Sequence, residues 1–240
     1  TWSLDQWGQY LLACSNADGK IYEWQLNTST IAAVLSNAPT GNTAIMVTDE
    51  RFVFALGAGG NPRKIQWSDR ENNNLWAAAA TNEAGSIELQ TSGVIQCGVR
   101  VQNQALILTT TDAHTATYSG PPYVYGVERV GTSCGCVSAQ GVAVVDMGAV
   151  WMGRESFFVY SGGTVQELAS DVSDYIYSDI NVAQMSKIVA VSNAKFSEIR
   201  WFYPSAESTE NNRYVAFNYQ ENTWTIGQIA RTAAADAGVY

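Results

Sequence analysis

One pattern recurs through this sequence: a short run of small and β-branched residues is followed, one strand later, by a short run that carries aromatic residues. Residues 44–47 (AIMV) precede 64–67 (KIQW), and residues 142–145 (VAVV) precede 157–160 (FFVY). Clusters of Gly, Asn, Asp and Ser separate the runs, as they separate the strands of a β-protein. Helical spacing is confined to residues 172–181, so the chain is predicted to be all-β with one loop helix.

The candidate strands are short and closely spaced. They lie at residues 9–15, 20–25, 44–48, 51–56, 64–68, 94–101, 105–110, 142–146, 150–152, 157–160, 188–192, 199–203, 214–219 and 223–229. Turns such as 17–19 (ADG), 59–62 (GGNP) and 161–163 (SGG) join them at hairpin distance. The spacing predicts a succession of antiparallel hairpins.

The strands group into repeated units, which we place at residues 2–37, 41–81, 85–130, 135–179 and 182–229. Each unit is predicted to be a four-stranded blade of a β-propeller, with a small-residue strand at the axis, aromatic strands in the middle and a polar fourth strand facing water. Residues 72–76 (NNNLW) and 220–224 (QENTW) introduce two of the predicted fourth strands. The residues after Arg231 would be another first strand, which closes a five-bladed ring or begins a sixth blade. A β-sandwich explains the strands but not their repeated order.

Composition predicts one packed domain over residues 1–240. Apolar residues make up 46% of the chain and charged residues 15%, which is typical of a folded core. No apolar run approaches the roughly 20 residues that span a bilayer. The net charge of −9 and only 13 scattered Lys and Arg residues argue against specific nucleic-acid binding. Because the chain starts without Met or a signal core, we expect it to be a piece of a longer protein.

The residues that bind metals are few and poorly spaced. Cys134 and Cys136 are too close together for a metal knuckle, and neither Cys14, Cys97 nor the single histidine, His114, completes a site. We expect buried thiols and a histidine in a turn. The Gly-rich residues 57–62 lack the Gly-Lys-Ser/Thr of a phosphate loop and are predicted to be a long hairpin turn. No metal, cofactor or catalytic residue is assigned.

Four carboxylates on predicted strands are candidates for a glycosidase pair: Glu23, Asp69, Asp146 and Glu198. Such an enzyme needs two carboxyl groups held across a sugar, and Asp146 on an inner strand is the best candidate. No paired motif supports it, and Asp69 is expected to pair with Arg63 or Arg70 instead. A sugar-binding or glycoside-hydrolysing five-bladed propeller therefore stays the alternative to a chain that is not an enzyme.

Aromatic residues are abundant and have two predicted roles. Inter-blade packing accounts for Trp67, Trp76, Trp151, Trp201 and Trp224. Trp2 and Trp7 are flanked by polar residues and are therefore the tryptophans expected to be exposed. Exposed aromatic rings stack on sugars, which keeps the sugar-binding alternative open.

Several segments, in the same order along the chain, resemble a family of tailed-phage virion proteins that includes the tail nozzle, or tail tubular protein B. They are residues 2–13 (WSLDQWGQYLLA), 65–69 (IQWSD), 120–122 (GPP), 150–163 (VWMGRESFFVYSGG), 198–204 (EIRWFYP) and 221–224 (ENTW). The resemblance covers nearly the whole chain.

This resemblance implies a non-enzymatic structural subunit of the virion tail, built as a β-propeller. Its implied partners are other proteins of the tail or the head-to-tail connector, and the full-length protein would form a homo-oligomeric ring around the DNA channel. The acidic composition would let DNA pass without sticking, because like charges repel. The family has no catalytic residues to transfer to this chain. A phage receptor-binding module is a further alternative.

Overall fold

A computed structural model of the chain describes residues 1–235. The described residues form two compact units, the first spanning Thr1–Arg129 and the second beginning at Val130, and each is described by itself. The expectation of a single domain over residues 1–240 stays a prediction. Among residues 1–235, no helix is long and apolar enough to cross a membrane.

Unit 1 contains three antiparallel four-stranded sheets, each built from strands consecutive in the chain. Blade 1 consists of β1 (Trp2–Trp7), β2 (Tyr10–Ser15), β3 (Ile21–Trp24) and β4 (Ala33–Val34). Blade 2 consists of β5 (Ala44–Val47), β6 (Val53–Leu56), β7 (Lys64–Trp67) and β8 (Gly85–Glu88). Blade 3 consists of β9 (Ile95–Val101), β10 (Gln104–Thr109), β11 (Asp112–Gly120) and β12 (Val124–Thr132), whose last three residues follow the end of unit 1.

Unit 2 contains two further sheets of the same kind and the only α-helix among the described residues. Blade 4 consists of β13 (Val142–Val145), β14 (Gly148–Met152), β15 (Phe157–Ser161) and β16 (Thr164–Leu168). The helix α1 (Ser173–Asp179) follows it. Blade 5 consists of β17 (Val189–Asn193), β18 (Glu198–Tyr203), β19 (Arg213–Asn218) and β20 (Thr223–Gln228).

The five sheets are the blades of a β-propeller, which confirms the predicted fold class. The middle strands carry the large buried aromatics, as predicted, including Phe54 and Trp67 in blade 2 and Trp201 and Phe217 in blade 5. A single blade cannot cover both of its apolar faces, so neighbouring blades bury them against each other. In unit 1, one such core lies between blades 1 and 2 and another between blades 2 and 3.

Inner-strand contacts align neighbouring blades. The Asp5 carboxylate on β1 accepts a hydrogen bond from the backbone N–H of Val47 on β5 at 2.7 Å and pairs with Arg100 on β9 at 3.0 Å. One side chain therefore links the first strands of blades 1, 2 and 3. In unit 2, the N–H of Ala190 donates to the carbonyl of Gln140 at 2.7 Å, and the Trp201 indole donates to the carbonyl of Gly141 at 3.0 Å.

The predicted boundary between the second and third units was wrong. The fourth strand of blade 2 is Gly85–Glu88, which the sequence predicts to open the third unit, and residues 72–76 are not a strand. They form a turn in which the Asn72 side chain accepts from the N–H of Asn74 and the Trp76 indole donates to the carbonyl of Asn73. The matching prediction for residues 220–224 was right, because β20 begins at Thr223.

Two other expectations have different outcomes. The loop helix predicted at residues 172–181 is confirmed by α1, whose Ile176 is fully buried. The strand predicted after Arg231 does not form over residues 231–235, and its remainder, residues 236–240, lies outside the described residues. The described part of the chain therefore contains five blades rather than six.

Candidate functional site

The two faces of blade 1 differ in what covers them. Side chains directly opposite each other in neighbouring strands lie on the same face of a sheet. The pairing of Asp5 with Leu12, and of Cys14 with Ile21, puts these residues on one face. The pairing of Leu4 with Ala13, Ala13 with Tyr22, and Tyr22 with Val34 defines the other. The register therefore separates two chemically distinct surfaces.

The first face is covered by blade 2. Trp7, Leu12, Cys14 and Ile21 pack in one core with residues of β5 and β6. Burial raises the pKa of the Cys14 thiol to about 11, with a smaller contribution from the negative charge of Asp18. At neutral pH this thiol is protonated and serves as a small apolar side chain.

The second face, which we call the free face of blade 1, is uncharged. It is formed by Trp2, Leu4 and Gln6 of β1, Leu11, Ala13 and Ser15 of β2, Tyr22 and Trp24 of β3, and Val34 of β4. The exposed fractions are 53% for Trp2, 60% for Leu4 and 43% for Val34, which are high values for large apolar residues. Contiguous exposed apolar surface marks interaction sites on soluble proteins.

Local hydrogen bonds hold the aromatic residues of the free face in place. The Tyr22 hydroxyl donates to the Asp18 carboxylate at 2.5 Å, which lowers the pKa of Asp18 and raises the pKa of Tyr22. The Trp2 and Tyr22 rings lie 6.1 Å apart, and the Trp24 indole donates to the carbonyls of Asn27 and Thr30. The face is therefore ordered before any partner binds, which reduces the entropy lost on association.

The expected exposure of the two N-terminal tryptophans was half right. Trp2 is exposed, but Trp7 is only 7% exposed and lies in the core between blades 1 and 2. The reason is strand alternation, because Trp2 and Trp7 point to opposite faces of β1. Trp67, Trp76, Trp151 and Trp201 are buried as predicted, and Trp224 is half-buried against Phe157 and Phe217.

The four carboxylates considered as catalytic have local structural contacts. Glu23 accepts hydrogen bonds from Asn73 and Gln25, and Glu198 pairs with Arg200 at 2.8 Å. Asp146 is exposed in the turn between β13 and β14. Asp69 accepts from the N–H of Glu83 at 2.8 Å, and its expected pairing with Arg63 was wrong, because Arg63 pairs with Glu88.

Unit 1 also has an open depression of about 530 Å³ beside Asp69. Its lining consists of Asp69, Arg70, Glu71, Ala80, Thr81, Asn82, Glu83 and Pro121. Several of its polar groups are already engaged: Glu71 pairs with Arg51, Glu83 accepts from the Tyr118 hydroxyl at 2.7 Å, and Asn82 bonds to the backbone of its own loop. The polar side chains that line the depression therefore serve to hold its loops in place.

His114 was wrongly expected in a turn. It lies on β11, is 3% exposed, and places its Nε2 atom 3.2 Å from the carboxylate of Asp112. Asp112 also accepts hydrogen bonds from Thr91 at 2.9 Å and Thr109 at 2.5 Å. All four cysteines are buried, as expected, and over residues 1–235 no three metal-ligating side chains come together.

No protein-family model matches the chain, and no curated protein matches it either. Solved β-propellers do match its fold. A putative 6-phosphogluconolactonase from Bacteroides uniformis superposes with a TM-score of 0.64 at 10% identity, over 96% of this chain and 71% of the other. A streptogramin B lyase gives 0.62 at 8% identity, over 95% and 68%. A chain of a nidogen–laminin complex gives 0.54 at 13% identity, over 95% and 82%.

At these identities the matches establish the propeller fold alone, since one fold carries unrelated functions. The three proteins are a lyase, a putative lactonase and a member of a protein complex, and they select no activity for this chain. The resemblance to tail tubular proteins stays a prediction. Sequence reasoning missed the free face of blade 1, because β1 was not assigned as a strand.

Proposed function

We propose that this chain is a non-enzymatic assembly subunit that acts through the free face of blade 1. The observation that carries the proposal is the exposure of Trp2 and Leu4 on an uncharged, pre-ordered sheet face. Burying apolar surface contributes roughly 25 cal/mol per Å², so covering Trp2 and Leu4 with a partner would favour association.

The resemblance to tail tubular proteins gives the assembly a place, the tail of a phage virion. The partners would then be other tail or connector proteins, and the net charge of −9 suits a subunit that DNA passes without binding. Mass spectrometry of purified virions from a phage that encodes this sequence tests the location. We expect peptides of this chain at a stoichiometry typical of a structural subunit. Their absence from intact particles would refute the virion role.

A glycan array with a hydrolysis screen tests the competing sugar-active function. The proposal expects neither binding nor turnover. Turnover that is lost in Asp146→Asn, or glycan binding that is lost when Asp69 in the depression is replaced by Ala, would favour the sugar-active alternative. Trp2→Ala tests whether the free face of blade 1 binds sugars by aromatic stacking. If it does, this variant should lose glycan binding; if the face only contacts proteins, glycan binding should not change.

A further inference from the structure

We propose that the outer edge of β20 in blade 5 binds an extended, uncharged strand of a partner protein, which extends the sheet from four strands to five. Within residues 1–235, β20 is the last strand of its sheet and is hydrogen-bonded on one side only, to β19. This contact uses backbone groups of unit 2 rather than a side-chain surface of unit 1. It goes beyond the proposed function by naming a second contact and the kind of partner that fits it.

The register of β19 and β20 shows which backbone groups of β20 are free. The N–H of Ile229 donates to the carbonyl of Asn212 directly opposite it, which continues the ladder between the two strands. In an antiparallel ladder, such hydrogen-bonded pairs alternate with pairs that make no hydrogen bonds to each other. The backbone of Thr225 and Gly227 therefore bonds to β19. The groups that point outward are the N–H and carbonyl of Trp224, Ile226 and Gln228.

β20 lacks the features that protect the other four outer strands from further pairing. Short length and charged side chains both disfavour the pairing of an edge strand. β4 has two residues, and β8, β12 and β16 carry Glu88, Glu128 and Glu167 in that order. β20 has six residues, none of them charged or proline, and its pairing with β19 is regular. Of the five outer strands described, it is the best suited to accept a further strand.

The chemistry of the edge defines the kind of partner. An extended backbone, unlike a helix, offers N–H and carbonyl groups at the two-residue spacing of the free groups on β20. The side chains of Thr225 and Ile226 are exposed on β20, and β-branched residues pair well across strands with such neighbours. A charged side chain opposite Ile226 would lose hydration without gaining a partner. The partner segment is therefore an uncharged strand rich in Thr, Val or Ile.

Hydrogen exchange of the full 240-residue chain, measured by NMR at single amides, tests whether the edge is open. In the free chain the amides of Thr225 and Gly227 should exchange slowly, because they are hydrogen-bonded to β19. The amides of Ile226 and Gln228 should exchange fast, because they face solvent. Equal protection of all four amides would overturn the inference, since the edge would then already be covered.

A probe strand tests the kind of partner. The probe is the acetylated and amidated peptide Thr-Val-Thr-Val-Thr-Val with methylated valine nitrogens, so that it pairs along one edge and cannot aggregate. For a Kd of about 1 mM, the peptide at about 2 mM should slow exchange of Ile226 and Gln228 about threefold. Exchange of Thr225 and Gly227 should not change. The matched control is the same peptide with every nitrogen methylated, which should slow neither pair. Equal effects of the two peptides, or no effect of either, would overturn the inference.

Two variants of Gln228 locate the contact on β20. Gln228→Pro removes one outward N–H and keeps the bonds to β19, because proline is tolerated where the N–H of an edge strand faces solvent. It should lose the slowing of exchange at Ile226 by the probe. Gln228→Ala is the matched control and should keep it. Equal slowing in the two variants would show that the probe binds elsewhere.

These outcomes are separable from failure of the proposed function, since the exchange measurements need no virion. If the probe binds β20 but the chain is absent from virions, the strand contact stands and the virion role is refuted. If the chain is present in virions but the probe does not bind, the strand contact is refuted and the assembly role stands. Protection of Ile226 that rises with the concentration of the chain alone would overturn the assignment to a partner protein, because β20 would then pair with a second copy.

Discussion

Gly148 shows how one backbone position fixes a hairpin. Its φ is +133°, a conformation that residues with a side chain rarely adopt, and a Cβ atom there would lie 2.0 Å from the carbonyl oxygen of Tyr160. The residue opens β14 directly after the turn from β13, so a side chain would push β14 away from β15. Glycine is therefore required at position 148 for two reasons: the backbone of β15 packs closely against it, and its φ angle is positive.

Gly148→Ala is therefore expected to destabilise the protein by about 3 kcal/mol or more. Gly162→Ala is the matched control: its φ of +59° is also unfavourable for Ala, but no atom lies within 4 Å of the new Cβ. The cost of the control should be about 1 kcal/mol. Urea unfolding followed by tryptophan fluorescence measures both. Equal midpoints for the two variants would contradict the packing explanation.

Asp112 is a buried carboxylate whose charge is stabilised locally. Burial alone would raise its pKa, but hydrogen bonds from Thr109 and Thr91 and the charge of His114 outweigh it, so the pKa of Asp112 lies below its usual value. A carboxyl group with a lowered folded-state pKa stabilises the fold above its ordinary pKa of about 3.9. That contribution is lost as the pH falls through the lowered value.

Asp112→Asn should therefore be less stable than the wild type at pH 7, by about 1–3 kcal/mol. The difference should shrink as the pH falls below about 4, because the Asp112 carboxyl is then protonated first in the unfolded wild-type chain and, at still lower pH, in the folded protein. Urea unfolding of both proteins between about pH 7 and pH 2.5 measures the difference at each pH. A difference that stays constant over the whole range would show that the charge of Asp112 contributes nothing.

At the scale of elements, side chains on first strands set the alignment of blades. Asp5 bonds to the N–H of Val47 on blade 2 and to Arg100 on blade 3. Arg100 in turn donates to the carbonyl of Val47 at 3.1 Å. Asp5→Ala removes the acceptor that Val47 and Arg100 share, so we expect a loss of about 1–3 kcal/mol.

Asp5→Asn separates the two contributions of this carboxylate. Its amide oxygen can still accept from the N–H of Val47, but the charge opposite Arg100 is gone, so the loss should be smaller than in Asp5→Ala. Asp49→Asn, at an exposed carboxylate in the turn between β5 and β6, controls for the change in net charge. Urea midpoints rank the three variants. Equal midpoints for Asp5→Ala and Asp49→Asn would contradict the role of Asp5 in blade alignment.

Sequence predicted most elements because apolar runs and turn residues mark them independently of tertiary structure. The sequence-based prediction failed where a turn has the residue order that is typical of a strand. Residues 72–76 have the polar-then-aromatic order of a fourth strand, yet they form a turn in which the Asn72 side chain and the Asn73 carbonyl accept hydrogen bonds and Trp76 is buried. It missed Gly85–Glu88 because this edge strand has a single large apolar residue, Ile87.

At the scale of the whole molecule, the propeller fold was predictable and the candidate site was not. The repeated order of small and aromatic strands follows from blade packing, so it is visible in the sequence. Exposure of Trp2 and burial of Trp7 depend on which face of β1 each residue occupies and on whether another blade covers that face. Once β1 is recognised as a strand, the local sequence shows which face each residue occupies. It does not show whether another blade covers that face.

The central claim is that this chain is an assembly subunit that makes its contact through the free face of blade 1, and incorporation of variants into phage particles tests it most directly. Leu4→Lys places a charge on this face at a position that is 60% exposed, whereas Tyr123→Lys places one at a position that is 82% exposed and lies off the face. When each variant is supplied to a phage that lacks the wild-type chain, Leu4→Lys should be missing from purified virions and Tyr123→Lys should be present at the wild-type level. Equal incorporation of the two variants would contradict the claim.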